Sequence, residues 1–162
     1  MGHHLRAVIG KAQPVAQLAR NWVYARLVVL PQGFALIPVT RALHEDVIEL
    51  FGEDLASPHG ELVTLSTALE RVASDASHGA QLAYIETDYF GGRGTQAAIG
   101  WENGAVACGP LLSGSHARPI NAVLAWMGAV ANTGSDEFDA LKLGNYRNTD
   151  TVAERDGKPV RG

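Results

Sequence analysis

Cysteine is nearly absent from this chain of 162 residues: Cys108 stands alone. No internal disulfide can form, and no cysteine-based zinc cage either. In an apolar stretch such a thiol reads first as a small core residue. Long apolar runs are also missing. None approaches the roughly 20 residues of a membrane helix, and Met1-Gly2-His3-His4-Leu5-Arg6 lacks the apolar stretch of a signal peptide. The expectation is a cytoplasmic protein with no membrane contact. Gly2 does not make a myristoylation motif, because position 6 is Arg6 rather than Ser or Thr. A basic stripe is missing as well: the net charge is −4, which speaks against a nucleic-acid partner.

What the chain has is apolar residues at 46% and charged residues at 19%. That is enough for a real core, and the length suits one domain. The acids are clustered. From Arg41 to Arg71 the chain carries Glu45, Asp46, Glu49, Glu53, Asp54, Glu61 and Glu70 with no Lys or Arg between. Such a surface either keeps the protein soluble or meets a basic partner.

Periodicity gives the elements. Leu5–Ile9 is a short strand. Pro14 opens a helix with Val15, Leu18, Ala19 and Trp22 on one face. Residues 27–30 and 34–37 flank Pro31-Gln32-Gly33 as a hairpin, with Pro38 at a strand end. Thr40 caps a helix whose stripe is Leu43, Val47, Leu50 and Phe51, and Gly52 stops it. Pro58, His59 and Gly60 mark a loop. Leu62, Leu65, Leu69 and Val72 then form one helical stripe that Gly79 closes. Residues 82–89, 95–101 and 105–108 read as three successive strands, turned at Gly91-Gly92-Arg93-Gly94 and Asn103-Gly104. A loop over 109–118 leads to Pro119 and a helix bearing Ile120, Val123, Leu124 and Met127. Ser135 caps a last helix that ends at Gly144. Trp22, Trp101 and Trp126 read as core or core edge. The predicted fold is α+β: one domain over residues 1–147, about six mainly antiparallel strands packed by four or five helices, and a polar, loose tail over 148–162.

Chemistry concentrates between Tyr84 and Gln96. Alternation along a strand puts Tyr84, Glu86 and Asp88 on one face and Ile85, Thr87 and Tyr89 on the other. Glu86 and Asp88 then stand about 7 Å apart at Cβ, which suits paired carboxylates or simply a wet sheet face with Arg93 as an ion-pair partner. A hydrolase would assemble them with a distant histidine, His59 or His116. No catalytic motif supports this: GxxxxGK[ST], HExxH and GxSxG are all absent. His3 and His4 are adjacent and point to opposite sides of a strand, a poor metal arrangement. No cofactor, metal site or catalytic residue is assigned.

The run Glu86-Thr87-Asp88-Tyr89-Phe90-Gly91-Gly92-Arg93-Gly94-Thr95-Gln96-Ala97-Ala98 with Trp101 and Asn103-Gly104, the opening Met1-Gly2-His3-His4-Leu5, and Asp136-Glu137-Phe138-Asp139-Ala140-Leu141 make up 27 of the 162 residues. In these patches the chain resembles small bacterial immunity proteins of polymorphic toxins, of the type VI or contact-dependent kind. The resemblance implies a cytoplasmic inhibitor that covers the active site of a cognate toxin domain. Two surfaces are offered for that partner. One is the helix with Glu45, Asp46 and Glu49. The other is the strand with Tyr84, Glu86, Asp88, Tyr89 and Arg93. A small hydrolase, or a module that binds a small ligand or forms an oligomer, is the rival expectation.

Overall fold

The computed structural model describes residues 2–51, 62 and 65–160. Among them a single seven-stranded sheet runs through the molecule, with six α-helices around it. The strands are β1 (Arg6–Lys11), β2 (Arg26–Val29), β3 (Phe34–Pro38), β4 (Gln81–Phe90), β5 (Arg93–Glu102), β6 (Ala105–Leu112) and β7 (Lys158–Pro159). Their order across the sheet is β6-β5-β4-β1-β3-β2-β7, and every neighbouring pair is antiparallel. The helices are α1 (Ala12–Ala19), α2 (Arg41–Phe51), α3 (Thr67–Ala76), α4 (Pro119–Trp126), α5 (Glu137–Ala140) and α6 (Thr149–Arg155). The α+β single domain read from the sequence is what the chain forms, with one strand and one helix more.

Helices cover both faces of the sheet. Val8, Ile37, Tyr84, Ile99 and Trp101 face a core closed by Val15 and Leu18 of α1, Leu43 and Val47 of α2, and Leu69 and Val72 of α3. Ala7, Ile9, Leu36, Ile85 and Ala98 face a second core closed by Ile120, Val123 and Leu124 of α4 and Val152 of α6. A strand alternates its side chains, so two apolar faces require apolar residues at successive positions. The unbroken runs in β1 and β3 supply them, and β3 is buried along its whole length. The expectation of one wet face is therefore corrected: neither face of the central strands is open.

Local chemistry places the elements. Thr40 Oγ1 accepts from the Leu43 amide at 3.2 Å, and Ser66 Oγ accepts from the Leu69 amide at 3.1 Å. The third helix thus begins at Thr67, and Leu62 and Leu65 are core residues ahead of it rather than its first turns. Asp136, not Ser135, caps α5. Gly91-Gly92 and Asn103-Gly104 take positive φ at both positions, the backbone of a two-residue hairpin turn. Residues 109–112, expected in a loop, continue β6 along the sheet edge. The expected stop at Gly52 and the loop at Pro58, His59 and Gly60 lie outside the described residues.

The stretch 148–160 is also not a loose tail. Asn148 Oδ1 accepts from the Thr151 amide at 3.1 Å and starts α6, Val152 is buried, and β7 pairs with β2. Its polar composition misleads because a seven-residue helix needs one apolar anchor and a cap, not a long stripe.

Candidate functional site

The β4–β5 hairpin outruns the core. Pairing continues without a break from Gln81↔Glu102 to Phe90↔Arg93. Burial does not. Along one face of β4, Tyr84 is 0% exposed, Glu86 is half-buried, and the side chain of Asp88 is 79% exposed. Phe90, at the tip, is 77% exposed. The distal half of the hairpin thus carries carboxylates and an aromatic ring beyond the helices that cover its base.

Beside this overhang lies a cleft of about 750 Å³. Cross-strand register builds its floor: Arg6 pairs with Glu86, Glu86 with Ala97, and Ala97 with Leu112, so all four share one face of β1, β4, β5 and β6. Asp88 and His4 line it one row further out, while Ser113 and the start of α6 at Asn148, Thr149 and Asp150 also border it.

The polar contacts are specific. Tyr84 Oη donates to Glu86 Oε1 at 2.9 Å. His4 Nδ1 lies 2.9 Å from Asp88 Oδ1, on a pair that is largely solvent-exposed. Thr149 Oγ1 accepts from the Arg6 amide at 3.0 Å and reaches the His4 carbonyl at 3.2 Å. These two bonds fasten the start of α6 to β1. His4 turns toward the cleft, whereas His3 turns to the opposite face and meets Thr87 and Leu143. Gly2 permits the approach of the His4 ring: a Cβ at Gly2 would stand 2.5 Å from His4 Nε2.

The residues proposed from sequence fall into three groups. Glu86 and Asp88 share a face, as alternation requires, and both line the cleft. Tyr84 shares that face but is fully buried, so it cannot meet a partner, and its hydroxyl donates to Glu86. Tyr89, on the other face, is half-buried and its hydroxyl accepts from Gln96 Nε2 at 3.1 Å, while Arg93 is exposed at the hairpin tip. Asp88 pairs with His4 and not with Arg93. Glu45, Asp46 and Glu49 sit on α2, away from the cleft-lining residues; Glu45 is tied to Arg41 at 2.8 Å.

For the hydrolytic alternative, the histidine beside Asp88 is His4. His116 is exposed, and its Nδ1 accepts from the Arg118 amide; His59 lies outside the described residues. A carboxylate on Nδ1 orients an imidazole as a general base. Among the described residues no hydroxyl is bonded to the remaining nitrogen of His4, so no nucleophile–base pair is assembled. Among the described residues no group of three or more His, Cys, Asp or Glu could hold a metal ion, and no helix is long and apolar enough to cross a membrane. Cys108 is half-buried on β6, and burial pushes its thiol pKa up, away from a reactive thiolate.

Sequence reasoning missed His4, Arg6, Thr149 and Asp150. The Thr149–His4 contact spans 145 positions, so no local spacing could have announced it. Comparison with protein-family models, curated proteins and solved structures finds no match for this chain.

Proposed function

We propose that this chain is a binding protein whose partner docks on the overhanging end of the β4–β5 hairpin. In the sharpest form it is a cytoplasmic immunity protein that covers the active site of a cognate toxin. One observation carries the reading: strand pairing continues four residues past Glu86 while burial on that face falls away, leaving Asp88 and Phe90 exposed on a hydrogen-bonded hairpin. A hydrogen-bonded hairpin loses little entropy when it binds. An exposed aromatic flanked by charged groups is the composition of an interface anchor. Asp88, Glu86 and the net charge of −4 favour a partner with a basic surface, because complementary charge speeds the encounter. The acids of α2 are a second, more distant negative surface that adds to steering rather than to contact.

The test is capture from the source organism with the tagged chain, in parallel with Asp88→Lys and Phe90→Ser. The expected result is one stoichiometric protein held by the wild type and lost by both variants. That protein's own activity, toxic to cells or enzymatic, is then abolished by the wild type at a one-to-one ratio. Retention unaffected by either substitution, or no partner at low and physiological salt, would reject the reading.

A further inference from the structure

The cleft beside the hairpin carries more than an acidic rim. The geometry points to a site for a small zwitterion of the amino-acid or short-peptide class, with Arg6 taking its carboxylate and Asp150 its ammonium group. The first ground is Arg6. Its guanidinium belongs to a half-buried residue on the floor, and among the described residues it has no ion-pair partner. Its cross-strand neighbour Glu86 accepts instead from the Tyr84 hydroxyl. A guanidinium with no carboxylate bonded to it presents a planar fork suited to one.

The second ground is position. Asp150 borders the same cleft in the first turn of α6, and the two bonds of Thr149 to β1 hold that turn against Arg6 and His4. The backbone that carries Asp150 is therefore held beside the strand that carries Arg6 before any ligand arrives. The third ground is exclusion by charge. A simple anion would meet Glu86, Asp88 and Asp150 as well as Arg6. A simple cation would meet the carboxylates but leave the Arg6 guanidinium without a counter-charge. A molecule carrying both charges satisfies each end. The volume, about 750 Å³, is that of an ordinary small-molecule site, and the Ala97–Leu112 strip of floor gives an apolar side chain a place to lie.

This inference does not rest on the docking reading. The purified full chain is titrated by calorimetry, and its unfolding temperature recorded, with the twenty free L-amino acids and a set of dipeptides. For each binder, the N-acetyl and the carboxamide derivatives are run beside it. The expected result is saturable binding by at least one parent compound, weakened about tenfold or more by either blocking group. Arg6→Gln and Asp150→Asn each weaken it similarly, and Val23→Ser, at an exposed side chain outside the cleft lining, leaves it unchanged. Asp150 is exposed, so Asp150→Asn carries the test even where Arg6→Gln folds poorly. Absence of binding by every parent at millimolar concentration overturns the proposal. So does equal binding of the blocked derivatives, or full affinity in Asp150→Asn.

Discussion

Nδ1 of His3 stands 2.7 Å from the hydroxyl of Thr87, and the two contacts of the ring select the tautomer of its neutral form. Nε2 lies 3.0 Å from the Leu143 carbonyl, which only accepts, so Nε2 carries the hydrogen. In the neutral ring Nδ1 then accepts from Thr87, whose oxygen in turn accepts from the Leu5 amide at 2.8 Å. Burial is the main cause that lowers the His3 pKa below its ordinary 6.5; the bond to Leu143 opposes it, and Arg147 and His4 add repulsion. The unfolded chain therefore binds this proton more readily than the folded one. The contribution of neutral His3 is complete above pH 6.5 and is lost as pH falls from there through the lower folded value. Urea midpoints measured across that window should decline more steeply for the wild type than for His3→Asn. Parallel curves would show that the ring titrates freely.

The sheet was legible in the sequence where the signal is local. Asn103-Gly104 located one hairpin turn, Gly91-Gly92 the other, and the alternation of Tyr84, Glu86 and Asp88 placed two cleft carboxylates on one face. Thr40 and Pro119 placed two helix starts. Three features escaped. The second helical layer was missed because β1 and β3 read as apolar without revealing how many faces they bury. Polar composition hid α6. The cleft was missed because it joins Arg6 to Asp150 through tertiary contacts alone.

Gly100 gives a packing test. A Cβ there would lie 2.5 Å from Cζ3 of Trp126, whose ring covers the β5 backbone where the β5–β6 register shifts. Gly100→Ala should destabilise the fold by about 1–3 kcal/mol, the usual cost of forcing extra volume into a packed site. Trp126 emission should change with it. Adding Trp126→Leu removes the ring that clashes, so the double variant should fall short of the summed losses. Strict additivity would place the effect elsewhere.

Truncation after Arg147 tests whether α6 and β7 belong to the fold. Such a chain loses the buried Val152, the Thr149 side-chain bonds to Arg6 and His4, and the β2–β7 pairing. One buried aliphatic side chain and two part-buried hydrogen bonds amount to about 3–5 kcal/mol, a large share of a typical domain's stability. The truncated chain should unfold at markedly lower denaturant or fail to accumulate. Equal stability would make the segment an accessory.

The ion pair of His4 with Asp88 separates a structural role from a binding one. Both side chains are largely in water, 47% and 79% exposed, so the pair adds little to stability. Asp88→Asn should accordingly leave the unfolding free energy within about 0.5 kcal/mol of the wild type. Its effect on a basic partner should be larger and kinetic. Removing one charge from the docking face slows association, and the difference shrinks as salt screens the field over distances of about 10 Å. Stopped-flow association at low and high salt reads this directly. A variant that is less stable yet associates at the wild-type rate would assign Asp88 to holding the N-terminal strand, and would move the partner's footprint to Phe90 and Arg93 alone.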